Sequence, residues 1–89
     1  MNNLYKLNDI LLYTSAFKAT SIIYVAKIPT FEGECYEGMT ITVNECSFSN
    51  TLPLNSLSEL GLIKLLGNKE IPQQMDIMNL TDEYLEYFI

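Results

Sequence analysis

Apolar residues follow strand-like spacing through the first half of the chain. Residues 21–28 form a nearly continuous β-branched and apolar run that stops at Pro29, which predicts a strand covered on both faces. Residues 39–43 alternate apolar and polar side chains, so we expect a second strand that pairs antiparallel with the first. A bulge or a turn is expected at Asn44 and Glu45, where the alternation changes phase.

Two patterns overlap at the N-terminus. Leu4, Leu7 and Leu11 follow helical spacing, but residues 10–14 form a short apolar run after a turn-type pair that ends at Asp9. We favour a strand after Asp9, and a helix within residues 3–14 remains the alternative.

Helical spacing dominates the second half. Ser56 and Glu59 have the spacing of a capping box, and Gly67 is expected to end the helix that begins there. The core-facing stripe of this helix consists of Leu57, Leu60, Ile63 and Leu66. A second helix is predicted for residues 81–88, while residues 47–55 and 68–78 are expected to be connectors.

Strands followed by helices predict an α+β domain. We expect a small antiparallel sheet or partly open barrel in the N-terminal half and two short helices in the C-terminal half, covering one face. Because 89 residues offer room for one hydrophobic core, residues 1–89 are expected to form a single domain.

Charged residues are distributed unevenly along the chain. Residues 1–27 carry Lys6, Lys18 and Lys27 against Asp9, whereas the remainder is strongly acidic and brings the net charge to −6. Such a surface repels a phosphate backbone, so direct nucleic-acid binding is disfavoured. The sequence contains neither an apolar membrane-spanning run nor a signal peptide, and a cytoplasmic location is expected.

Few side chains suited to catalysis are present. The chain has no histidine, which is the usual general base and a common zinc ligand. Cys35 and Cys46 therefore lack an imidazole partner, and we expect reduced thiols, with a disulfide between them as the alternative. No EF-hand spacing occurs, so we expect a protein that is not an enzyme and needs no metal or cofactor.

Binding to a protein is the function that this composition favours. From residue 28 to residue 63 the chain has no basic residue, and acids alternate there with aromatic side chains. We expect this stretch to face a basic surface of a host protein, as in small acidic inhibitors or accessory proteins of phages and mobile elements. The candidate partner-binding residues are Glu32, Glu34, Tyr36, Glu37 and Glu45.

Two other functions remain open at this level. A barrel-like fold could hold a small, nucleotide-like molecule within one subunit or between two subunits of an oligomer. The candidate residues for that pocket are Tyr24, Thr40, Thr42 and Asn44. In the second alternative the protein is a structural or assembly subunit, and its acidic residues serve only solubility.

Overall fold

A computed structural model of the chain describes residues 3–42, 45–70 and 80–84. These residues form a five-stranded antiparallel sheet with the strand order β4-β3-β2-β1-β5. The elements are β1 (Asp9–Thr14), β2 (Thr20–Lys27), β3 (Tyr36–Ile41), β4 (Cys46–Leu52), α1 (Leu54–Glu59) and β5 (Ile63–Asn68). A further single helical turn spans Leu80–Glu83.

The central strand is β2, the longest apolar run of the sequence. It pairs antiparallel with β1 on one side and with β3 on the other, which confirms the predicted pairing of residues 21–28 with residues 39–43. Its residues 21–25 are all buried, as expected for a strand covered on both faces. The strand predicted after Asp9 is confirmed as β1.

The fold class predicted from the sequence is wrong. An α+β domain with its sheet in the N-terminal half and two helices in the C-terminal half would end the sheet before residue 54. Instead, β5 continues the sheet to Asn68 and joins it beside β1, so the described residues are mostly sheet, with α1 and the helical turn at Leu80–Glu83 as their short helical segments. The rest of the helix predicted for residues 81–88 lies outside the described residues.

Gly61 explains why the first predicted helix is short. Its φ of 75° is left-handed, and Gly61 N donates to Ser58 O while Leu62 N donates to Leu57 O. These two bonds form a Schellman motif, which ends α1 well before Gly67. Ser56 lies inside the helix rather than at its N-cap, where Pro53 makes no side-chain capping bond. The capping-box prediction is therefore wrong as well.

The polar segment before the helix is also a strand. Residues 46–52 were expected to belong largely to a connector because serine, asparagine and threonine favour turns. They form β4, an edge strand that pairs with β3 from Ile41 and Cys46 to Tyr36 and Leu52. Pairing along β3 overrides the weak strand preference of these residues.

Hydrophobic clusters lie on both sides of the sheet. The helix face, which α1 covers, contains Tyr5, Leu11, Ile23, Val25, Tyr36, Leu52 and Leu54. The opposite face contains Ile10, Ile22, Tyr24, Met39 and Ile41, with Tyr84 packed against them. Within the described residues, no helix has the length and apolar character required to cross a membrane.

Candidate functional site

A groove opens at the end of the sheet where β2 leads into β3 and β4 leads into α1. Its volume is about 580 Å³, within the range of about 300–1,000 Å³ that is usual for ligand pockets. We call it the acidic groove, and its lining consists of Asn3, Pro29, residues 31–36 and residues 52–56. None of these residues is basic, whereas Glu32 and Glu34 are carboxylates.

The floor of the groove is held by Tyr36. This side chain is only 2% exposed, and its hydroxyl donates to Asn55 Oδ1 over 2.9 Å. The same hydroxyl accepts a hydrogen bond from the Tyr5 backbone N at 3.4 Å, and the two rings meet edge to face with centroids 6.1 Å apart. Strand β3, helix α1 and the N-terminal segment are thus joined beneath the groove.

Glu34 shapes the loop that forms one wall. Its Oε1 accepts hydrogen bonds from the backbone N of Thr30 at 3.0 Å and from the Thr30 hydroxyl at 3.4 Å. Glu34 N in turn donates to Phe31 O at 3.2 Å. These bonds hold the loop so that Phe31 is 60% exposed beside the groove. Glu32, also exposed, makes no hydrogen bond or ion pair with any other described residue.

Asn3 closes the groove from the N-terminal side. Its Nδ2 donates to Pro29 O at 3.0 Å. Its Oδ1 is buried and has no hydrogen-bond partner among the described residues. A buried carbonyl oxygen without a partner is energetically costly, so this end of the groove carries a local cost in the described structure.

Glu37 has a partner within the sheet. Lys27 Nζ lies 3.2 Å from Glu37 Oε2, and the two residues face each other across β2 and β3. The hydrogen bond and the charge of Glu37, followed by the charge of Glu34, raise the pKa of Lys27 above its usual value of 10.5. Lys27 therefore offsets chiefly the charge of Glu37 and to a lesser degree that of Glu34, while the carboxylates that line the groove itself are Glu32 and Glu34.

The structure brings together only part of the predicted partner-binding set. Glu32, Glu34 and Tyr36 line the same groove, although Tyr36 forms its floor and has almost no exposed surface. Glu37 lies next to them on β3. Glu45 lies at the other end of β3, in the turn where its backbone O accepts from Thr42 N at 2.8 Å.

The candidate residues for a small-molecule pocket do not meet. Tyr24 pairs with Met39 on the opposite face, whereas Thr40 pairs with Ile23 of the helix face. Neither of them lines the acidic groove, and neither does Thr42. Asn44 lies outside the described residues. Tyr24 instead donates its hydroxyl hydrogen to Asn8 Oδ1 at 2.6 Å, which supports the turn before β1.

The two cysteines lie apart in the structure. Cys35 and Cys46 are both free, and they lie at opposite ends of β3. Burial raises the pKa of the Cys46 thiol, which reduces its thiolate fraction at neutral pH. In the part of the chain that the structure describes, no group of three or more acidic or cysteine side chains is placed to hold a metal ion.

Sequence reasoning missed the parts of the groove that come from distant segments. Leu54 and Asn55 join the 29–36 loop because β4 and α1 return to that end of the sheet, and Asn3 joins it from the N-terminal segment through its bond to Pro29 O. No local pattern marks these residues. The acidic loop itself was recognisable because its charges are not explained by a helix cap or a helix dipole.

Comparisons of the chain with protein-family models, with curated proteins and with solved structures give no match.

Proposed function

We propose that the protein is a non-enzymatic binding module whose acidic groove receives a basic, partly apolar segment of a protein partner. One observation carries the proposal: an open groove of about 580 Å³ combines apolar walls with two carboxylates and contains no basic residue. By covering a basic surface, the protein would act as an inhibitor or accessory factor of its partner.

The groove is complementary to a lysine or arginine side chain. Such side chains have an aliphatic stem, which suits the exposed apolar surface of Phe31 and Pro53, and a cationic end that suits the carboxylates. Glu32, which is exposed in the lining, provides carboxylate oxygens that can accept hydrogen bonds from a guanidinium or ammonium group. The groove offers acceptors and apolar surface together, as a basic side chain requires.

Preorganisation also supports binding at this end of the sheet. The bonds from Tyr36 to Asn55 and from Thr30 to Glu34 fix the two walls before any partner arrives. A fixed site loses less conformational entropy on binding than a mobile one. The net charge of −6 would additionally speed encounter with a basic protein at low ionic strength.

A nucleotide-like ligand is less well supported. The groove falls in the size range of small-molecule pockets, but a phosphate would meet Glu32 and Glu34 with no basic residue in the lining. Like charges at close range oppose such binding.

The test is a titration of the isotope-labelled full chain, followed by amide NMR shifts. The first probe is a peptide with uncharged ends in which leucine alternates with lysine or arginine. The second probe is the same peptide with glutamate in place of the basic residues. We expect the basic peptide to shift amides of residues 31–36 and 54–56, and the acidic peptide to leave them unchanged. Added salt should weaken the interaction because exposed charges are screened.

Two charge reversals locate the effect. Glu32→Lys should weaken binding of the basic peptide about tenfold, which corresponds to about 1.4 kcal/mol. Glu45→Lys makes the same change of net charge at the other end of β3 and should have a much smaller effect. Equal weakening by both variants, or shifts outside the groove, would show that the groove is not the binding site. The partner itself should be captured by the wild-type protein and lost with Glu32→Lys.

A further inference from the structure

The turn between β1 and β2 presents the most exposed large apolar side chain among the described residues. Phe17 is 94% exposed, and Lys18 beside it is also exposed. The turn is well ordered by its own bonds: Ser15 Oγ accepts from Phe17 N at 3.3 Å and from Ala19 N at 3.2 Å. We call residues 15–19 the hairpin tip.

The chemistry of the hairpin tip is complementary to the acidic groove. The tip offers an aromatic ring next to a cation, and the groove offers apolar walls next to Glu32 and Glu34. Lys18 forms no ion pair with the other described residues, whereas Lys27 and Lys69 are paired with Glu37 and Glu83.

A molecule cannot place its hairpin tip in its own groove. Strand β2 separates the two, since the tip precedes Thr20 and the groove loop follows Lys27. Seven steps of extended chain at about 3.3 Å each place them about 23 Å apart. Any contact between tip and groove is therefore made by two different molecules.

We propose that the hairpin tip of one copy of this chain, through Phe17 and Lys18, occupies the acidic groove of a second copy. This inference rests on the proposed function, because it assumes that the groove accepts a cation with an apolar neighbour. The contact joins two unlike surfaces, so it leaves a free tip and a free groove for further copies. Self-association would then compete with the partner for the groove.

The contact area is small, and small interfaces belong to weak, transient pairs. Sedimentation velocity over a wide range of protein concentration should therefore show an average mass that rises with concentration. Phe17→Ser, Lys18→Glu and Glu32→Lys should each lower the association constant about tenfold or more. Because the three side chains are exposed, these variants are expected to keep the melting temperature of the wild type.

A mixing experiment provides the sharper test. Lys18→Glu and Glu32→Lys proteins should associate weakly alone, but an equimolar mixture should associate again, because opposite charges then face each other in both possible contacts. A protein that stays monomeric at every concentration, or associates equally well in all variants, would overturn the inference.

A peptide copy of residues 14–20 separates this inference from the proposed function. Titrated into labelled Phe17→Ser protein, it should shift amides of residues 31–36 and 54–56. If the basic leucine peptide binds in the groove but the 14–20 peptide does not and the protein does not self-associate, the inference fails and the proposed function stands. If the basic peptide does not bind in the groove, the proposed function fails.

Discussion

The hydroxyl of Tyr36 on β3 donates a hydrogen bond to Oδ1 of Asn55 on α1 over 2.9 Å. This bond connects the floor of the acidic groove to one of its walls. The Tyr5 backbone N donates a hydrogen bond to the same hydroxyl, so this oxygen atom links the N-terminal segment, β3 and α1.

Replacing Tyr36 by phenylalanine should remove both bonds and keep the ring. We expect a loss of about 1 kcal/mol in the free energy of unfolding, and a fall in melting temperature of about 4–8 °C. Urea denaturation measures the change. Tyr13→Phe is the matched control, since Tyr13 is half-buried and its hydroxyl has no bond among the described residues. A loss of the same size in the control would contradict the assigned role of Tyr36.

A glycine is required at position 38 because the backbone of β2 lies very close to this residue. A β-carbon at this position would overlap the backbone carbonyl oxygen of Tyr24, and the strands cannot separate without losing their pairing. Gly38→Ala is therefore expected to destabilise the protein by several kcal/mol, or to prevent folding. At Gly67, also in a strand, a β-carbon would lie 3.6 Å from the Tyr84 hydroxyl, an ordinary contact.

Gly67→Ala is consequently the matched control for Gly38→Ala. Circular dichroism and thermal unfolding of the two purified variants distinguish them. Similar stability for the two variants would show that β2 and β3 do not approach as closely as described.

Asp9 fastens the turn before β1 to β5. Its side chain is buried; Oδ2 accepts from Lys6 N at 2.8 Å and Oδ1 accepts from Asn68 Nδ2 at 2.8 Å. Because hydrogen bonds to a charged group are worth about 1.5–3 kcal/mol, Asp9→Ala should lower the unfolding free energy by about that amount. Glu45→Ala changes an exposed acid and should stay within about 0.5 kcal/mol of the wild type. Chemical denaturation of both variants measures the difference.

The ion pair of Lys27 and Glu37 gives a prediction about pH. The pKa of Lys27 is raised above 10.5, chiefly by its hydrogen bond to Glu37. A raised pKa in the folded state means that the stabilisation is fully present below 10.5 and is lost as pH rises through the folded-state value. Glu37→Gln should move the pKa of Lys27 back towards 10.5, while Glu45→Gln should leave it unchanged. An NMR titration of the Lys27 side chain measures both.

The strands that the sequence predicts well are those whose own residues favour burial. Strands β1 and β2 consist of apolar runs, which would be unfavourable in a connector exposed to water. Strand β4 is polar along most of its length, and only its position beside β3 makes it a strand. Local preference is weak for such an edge strand, so a reading of the sequence cannot separate it from a turn-rich connector.

Residues 56–66 carry two local patterns, the capping-box spacing and a helical stripe of apolar residues. Both predict a helix that continues through Ile63, where the structure has the start of β5. The spacing of Leu57, Leu60 and Ile63 suits a helix, but Gly61 adopts a left-handed conformation that ends the helix. Ile63 then pairs with Tyr13 in the sheet. Pairing with a strand some fifty residues away leaves no local signal. The same is true of Asn55, which reaches the groove because β4 pairs with β3 and leads into α1.

The position of β5 has a consequence for the order in which the protein folds. Strands β1 to β4 are joined by short turns and can pair as the chain emerges, but β1 has no neighbour on its outer side until Ile63–Asn68 is available. Closing that long loop is an entropic cost that slows folding. Until it closes, the apolar edge at Ile10–Tyr13 is open to pairing with other chains. Synthesis of β5 is therefore the step that ends the protein's exposure to aggregation through this edge.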